Sequence, residues 1–177
     1  MTELYLLRHG QTDWNLRGLW QGQADPPLND TGRAQAHAAA EILAPLELSA
    51  IYCSDLERAR ETASIIGARL GLAPRSDARL REIHLGEWEG LEGTVIRERY
   101  PAEYADWLDR PESSAPPPGG ESLAALARRV IECARDIVDR HRGERVLIVS
   151  HKLPVAVIRA CADASSGMPS NSEEICG

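Results

Sequence analysis

Val146-Leu147-Ile148-Val149 is an uninterrupted aliphatic run with no polar residue alternating through it. A strand of that composition is covered on both faces, as in a parallel sheet between helical layers. Before it, Leu123, Leu126, Ala127, Val130, Ile131, Ala134, Ile137, Val138 and His141 repeat at three and four. That spacing predicts a long amphipathic helix with one buried stripe, ended by Gly143. The same alternation runs through the earlier chain. Leu4–Leu7 reads as a strand, Thr31–Leu43 as an Ala-rich helix, Ala50–Cys53 as a strand, and Asp55–Leu70 as a helix closed at Gly71. A short third strand is expected over Pro74–Ser76 and a last helix over Leu153–Cys161. Strands alternating with helices predict an α/β fold: a three-layer sandwich, its central sheet mostly parallel, with helices on both faces.

The remaining segments read as connections. Gly10–Asp30 is a polar loop with one short helix around Thr12–Leu16, and Leu80–Gly93 is loop-like but rich in charge and Trp. Val95–Arg110 is expected to hold one or two short helices, and Pro111–Gly120 is a Pro/Ser/Gly linker. Residues 86–120 are thus expected to form a small cap within a single domain spanning 1–177, a length sufficient for a proper core. From Ala162 onward small and polar residues predict a poorly ordered tail.

A net charge of −7 argues against a nucleic-acid partner, which calls for a basic face. An anionic substrate therefore has to be drawn by a local positive pocket in an acidic surface. Cys53, Cys133, Cys161 and Cys176 form no Cys-x-x-Cys pair, so free thiols in a reducing compartment are expected. No charged leader and no apolar run of membrane-spanning length is visible, which predicts a cytoplasmic protein with no membrane partner.

In open α/β sheets ligands bind beyond the carboxyl ends of the strands. Arg8, His9 and Gly10 follow the first strand; Ser54, Asp55 and, one turn later, Arg58 follow the second. Arg81 and Glu82 follow the third, and Ser150 and His151 the most apolar one. Arginines, two histidines and a carboxylate on one rim supply a nucleophile, cations for phosphate oxygens and a proton donor for a leaving group.

These residues resemble the histidine phosphatase superfamily, which includes the cofactor-dependent phosphoglycerate mutases. The matching segments run in order: Leu7-Arg8-His9-Gly10-Gln11-Thr12 with Trp14-Asn15, Gln21-Gly22, Asp25-Pro26-Pro27-Leu28, and Thr31-Gly32 with Gln35-Ala36. Ser54-Asp55-Leu56 with Arg58-Ala59 and Thr62-Ala63, Leu80-Arg81-Glu82-Ile83 with Gly86, Trp88-Glu89-Gly90, Pro118-Gly119-Gly120-Glu121-Ser122 and Val149-Ser150-His151 complete the set. The resemblance implies a nucleophile at His9 that becomes phosphohistidine, a phosphate clamp of Arg8 and Arg58, and a second pocket histidine at His151. It implies a general acid and base at Glu82, and a pocket-completing loop through Asn15, Gln21 and Gly22. It further implies hydrolysis of a small phosphorylated metabolite with no metal and no cofactor. The alternatives are mutase-type phosphoryl transfer, which the short chain disfavours, and a phospho-ligand binding module with little turnover.

Each residue also has a plainer reading. Glu82 beside Arg81 has the alternative of a solvated ion pair, and Arg58 that of the i,i+3 partner of Asp55, with the pocket role favoured for both. His84 is expected on a surface loop; His37 and His141 read as structural or solvated. Trp88, Trp107 and Trp14 read as core, Cys53 as a buried hydrophobe, and Ser122 as the start of the long helix with Glu121 in its positive first turn. Two departures from the family pattern stand out. Lys152-Leu153-Pro154 replaces a Gly-Gly pair after His151, and no strand pattern follows Ala162. A missing edge strand predicts lower stability or a homodimer that covers the gap.

Overall fold

A computed structural model describes residues 1–111, 114, 115 and 117–166. Strands β1 (Glu3–Arg8), β2 (Ala50–Cys53), β3 (Arg75–Ser76) and β4 (Arg145–Ser150) form one sheet in the order β1-β4-β2-β3. All its pairings are parallel. The helices are α1 (Asp13–Leu16), α2 (Asp30–Leu43), α3 (Glu57–Leu70), α4 (Gly93–Arg99), α5 (Pro101–Asp109), α6 (Leu123–Arg140) and α7 (Lys152–Ser166), with short 3-10 turns at 44–46, 78–80 and 86–88.

The aliphatic run of β4 lies inside the sheet, and none of Val146, Leu147, Ile148 and Val149 is more than 1% exposed. Burying one such side chain contributes about 1.5–3 kcal/mol, so this strand anchors both layers. On one face Ile51, Cys53, Leu147 and Val149 meet Ala40 and Leu43 of α2 and Ala59, Ala63 and Ile66 of α3. The alanines let α2 and α3 lie close to the strands. On the other face Tyr52, Val146 and Ile148 meet Leu126, Val130, Cys133 and Ile137 of α6 and Ile158 of α7. The stripe of α6 differs from the expected one in detail, since Cys133 is buried and Val138 is exposed. β1 pairs with β4 alone among the described residues.

The cap region is continuous with the core. Trp88, Ile96 and Trp107 belong to the same buried cluster as α6. Trp88 meets Trp20 and Trp107 edge-on, with ring centroids 5.8 and 6.0 Å apart. The third tryptophan of the cluster is therefore Trp20. Trp14, expected there, is half-buried and lies beside Gly90.

The tail expectation is corrected in part. α7 continues past Cys161 to Ser166, through Ala162-Asp163-Ala164. Residues 167–177, the rest of that segment, lie outside the described residues. No described helix is long and apolar enough to cross a membrane.

Candidate active site

The carboxyl ends of β1, β2 and β4 are tied together by backbone bonds. The His9 amide donates to Ser150 O (2.9 Å) and the Ser54 amide to Val149 O (3.0 Å). His9 leaves β1 in this corner, 8% exposed, and its Nδ1 lies 2.7 Å from Gly10 O. A carbonyl only accepts, so Nδ1 carries the hydrogen and Nε2 presents its lone pair. Arg58 Nε points at that nitrogen from 3.3 Å. Burial, reinforced by Arg58 and Arg8, pushes the His9 pKa down to about 3, so the ring is neutral across the physiological range.

Arg58 sits in the first turn of α3 and is 1% exposed. Its Nη1 and Nη2 donate to Ala24 O (2.7 Å) and Gly22 O (2.8 Å), and Asp25 lies 3.8 Å away. Burial lowers its pKa to about 10, which leaves it charged at neutral pH. The reading of Arg58 as a partner of Asp55 falls away, because Arg81 holds Asp55 through two bonds of 2.7 Å. That bidentate pair also removes Arg81 as a partner of Glu82.

Glu82 is half-buried between two backbone amides, Ile83 N at 2.9 Å and Leu153 N at 3.4 Å. Loss of solvent outweighs those amides and the two arginines, and its pKa is raised. His151 follows β4 and is fully buried. Neither of its ring nitrogens has a hydrogen-bond partner among the described residues, and its ring centroid is 5.1 Å from that of His9. Burial and the neighbouring positive groups hold it well below the ordinary histidine range. Arg8 is exposed and its side chain makes no hydrogen bond or ion pair among the described residues, yet its charge bears on His9, Arg58, Glu82 and His151.

Asn15, Gln21 and Gly22 meet the cluster indirectly. Asn15 Oδ1 accepts from the Thr12 amide (3.0 Å), and the Thr12 hydroxyl is within reach of Asn15 Oδ1 and Gln21 Oε1. Gly22 has φ +52° and supplies a carbonyl to Arg58; a Cβ there would lie 2.3 Å from Glu89 Oε1. Glu89 in turn accepts from the Gln23 and Leu85 amides, which ties the Leu85–Glu89 segment to the Gly22–Gln23 turn.

Thr62, part of the segment that carried the resemblance, lies under the cluster: its Oγ1 accepts the Gly10 amide (3.1 Å) and donates to Arg58 O (2.7 Å). Two further contributors escaped the sequence reading. Arg129 and Gln23 both bond Glu82 O, and nothing in their local sequence marks them. Glu121 pairs with Arg129 and does not serve the first turn of α6, whereas Ser122 caps that helix as expected. Lys152 opens α7 and is exposed. His84 is 45% exposed beside Glu89, and His37 is exposed. His141 is buried between Tyr52 and Glu144. Burial pushes up the Cys53 and Cys133 thiols, the latter to about 12, as inert core thiols require.

The arrangement offers a neutral imidazole lone pair, two guanidinium groups and a carboxyl biased toward its protonated form. Those are the needs of transfer from a phosphate ester. The family model for the histidine phosphatase superfamily (branch 1) matches residues 4–172. Phosphoglycerate mutase-like protein 4 of Arabidopsis thaliana is 42% identical over 84% of this chain and 66% of its own length. Glucosyl-3-phosphoglycerate phosphatase of Mycobacterium tuberculosis is 46% identical over 71% of this chain. The alignment covers 56% of that enzyme, so the chain spans less than two thirds of both curated relatives. The solved structure of Bacillus stearothermophilus YhfR superimposes with a TM-score of 0.85 at 40% identity, over 96% of this chain and 82% of that one.

Proposed function

The chain belongs to the histidine phosphatase superfamily, and on that premise we propose that it hydrolyses a small phosphate monoester through a phosphohistidine at His9. The observation that carries the reading is the state of His9: buried, neutral, its Nδ1–H tied to Gly10 O and its Nε2 lone pair turned toward the Arg58 guanidinium, from which it accepts a hydrogen bond that an incoming phosphoryl group replaces. The Nε2 lone pair forms a bond to phosphorus as the ester P–O bond breaks, and protonated Glu82 gives its proton to the departing alkoxide. Water then attacks phosphorus and loses a proton to the Glu82 carboxylate. The P–Nε2 bond breaks, inorganic phosphate leaves, and both groups return to their starting states. Arg8, Arg58 and the unpartnered ring of His151 meet the phosphoryl oxygens. The two fixed guanidinium charges take the part a metal ion plays elsewhere, so no metal is required.

Phosphate release from p-nitrophenyl phosphate, with and without excess chelator, tests this reading on the wild type beside His9→Ala. Full wild-type activity in chelator and a loss of at least about 1000-fold in the variant are expected. Equal release by the two proteins sinks the covalent mechanism. A chelator-sensitive wild type points to metal chemistry, and isomerised phosphoglycerate without free phosphate points to a mutase. Phosphoglycerates, sugar phosphates, nucleotide-derived phosphates and phosphoamino acids form the panel that ranks substrates.

A further inference from the structure

Resting on the reading of Glu82 as the general acid, we propose that Arg129, clamped by Glu121, is the positioning residue that sets the Glu82 carboxyl against the ester oxygen. The segment carrying Glu82 has little regular structure, one 3-10 turn at Ala78–Leu80. Its backbone carbonyls therefore need partners from elsewhere. Four consecutive ones find side chains. Arg79 O and Arg81 O accept from Arg129 Nη1 at 2.8 and 2.7 Å, and Leu80 O from Ser150 Oγ at 2.6 Å. Glu82 O accepts from Arg129 Nη2 at 2.9 Å and from Gln23 Nε2 at 3.1 Å.

Arg129 thus holds three of the four. Its remaining donors go to Glu121, Nε to Oε1 at 2.8 Å and Nη2 to Oε2 at 2.7 Å. A guanidinium has five N–H donors, and all five are engaged. Such saturation fixes the plane of the guanidinium, and with it the peptide planes on either side of Glu82. Among the described residues the Glu82 carboxyl itself is held only by its own next amide and by a 3.4 Å contact to Leu153 N. Its aim is therefore inherited from the backbone that Arg129 pins. Lysine could not replace this, since one ammonium cannot reach three carbonyls and a carboxylate in a plane. A brace of this kind could also serve stability alone, and that plainer role loses activity without regard to the leaving group.

The leaving group separates the two. General acid catalysis matters most when the departing oxygen is basic, so phenyl phosphate needs Glu82 more than p-nitrophenyl phosphate does. Arg129→Met is expected to lower kcat about 100-fold on phenyl phosphate but less than about 10-fold on p-nitrophenyl phosphate. Glu121→Gln shifts the ratio the same way by a smaller factor, and it carries the test if Arg129→Met does not fold. Inhibition by vanadate stays near wild type, because the phosphate pocket is left in place. Adding Arg129→Met to Glu82→Gln changes the phenyl ester rate little further. An unchanged ratio between the two esters, whether both rates fall or neither does, overturns the proposal. Failure of the underlying reading is seen separately: wild type then releases no phosphate, or Glu82→Gln alone shows no dependence on the leaving group, and the positioning role falls with it.

Discussion

Replacing Thr62 by valine removes one hydroxyl beneath His9 and changes the shape of the side chain very little. Thr62 is 1% exposed, and its Oγ1 is the acceptor for the Gly10 amide at 3.1 Å. The carbonyl of that same Gly10 fixes the tautomer of His9. In the valine variant Arg58 O keeps its partner within α3, so only the Gly10 amide is stranded. An unpaired buried amide costs about 1–3 kcal/mol. For a chain of this length each kcal/mol lowers Tm by about 2–4 °C, so a fall of roughly 4–8 °C is expected at the middle of the range. Relaxation of the Gly10 peptide also turns the Nδ1 acceptor away, and small misplacements of a reacting group cost up to about 100-fold in rate; about tenfold in kcat is expected. Thr62→Ser restores the oxygen and should recover most of kcat while losing only methyl packing. Thermal melts and p-nitrophenyl phosphate turnover on the three proteins decide it. If valine and serine variants share the wild-type kcat and melt within about 1 °C of it, the hydroxyl does not hold the nucleophile loop.

Two other expectations follow from contacts around the same corner. A Cβ on Gly32 would sit 2.1 Å from Gln11 O and 2.7 Å from Gln11 N, backbone against backbone; Gly32→Ala should cost about 1–3 kcal/mol in urea unfolding and displace the His9–Gln11 turn, and a wild-type midpoint refutes that contact. His9 is held from 6.5 down to about 3, so between those values the unfolded chain binds a proton that the folded chain refuses; its stabilising contribution is whole above 6.5 and is lost as pH falls, at up to about 1.4 kcal/mol per pH unit. Urea midpoints taken from about pH 7 to about pH 5 should drop along that slope, less steeply in His9→Asn, and an equal slope in the two proteins contradicts the assignment.

The parts of this molecule that were legible in the sequence share a physical cause. Strands such as Val146–Val149 are continuous aliphatic runs, and α3 carries Ala59, Ala63 and Ile66 at helical spacing, so local pattern and tertiary burial agree. Residues at strand ends were legible for the same reason, since the topology of a parallel sheet delivers His9, Arg58 and His151 to one rim. Arg129 was not legible. In a helix rich in charge an arginine reads as solvated, and its meaning appears only when carbonyls from 79 to 82 converge on it. Trp20 was overlooked for a related reason: its place in the aromatic cluster depends on the bonds pairing it with Gly90 and Leu91, distant in sequence. The end of α7 was misjudged because few apolar residues remain after Cys161, although alanine favours a helix without help from packing.

An acidic protein that binds an anion has to make its site positive by some means other than net charge, and burial supplies it here. Desolvation acts on every titratable group of the cluster in the direction of its neutral form: His9 and His151 are pushed down and Glu82 is pushed up. Arg58 is pushed down too, but only to about 10, so it stays charged, and Arg8 faces solvent. With Glu82 biased toward its neutral form, Arg8 and Arg58 are the charges set against a phosphate monoester dianion. Binding then reinforces the arrangement. A dianion beside Glu82 disfavours its carboxylate further, keeping the proton on the group that must donate it. The same anion favours positive charge on the histidines, yet Nδ1 of His9 is already committed to Gly10 O and Nε2 to the attack. The burial that keeps His9 neutral thus also biases Glu82 toward its acid form, and a variant that opens the pocket to water should lose both properties together.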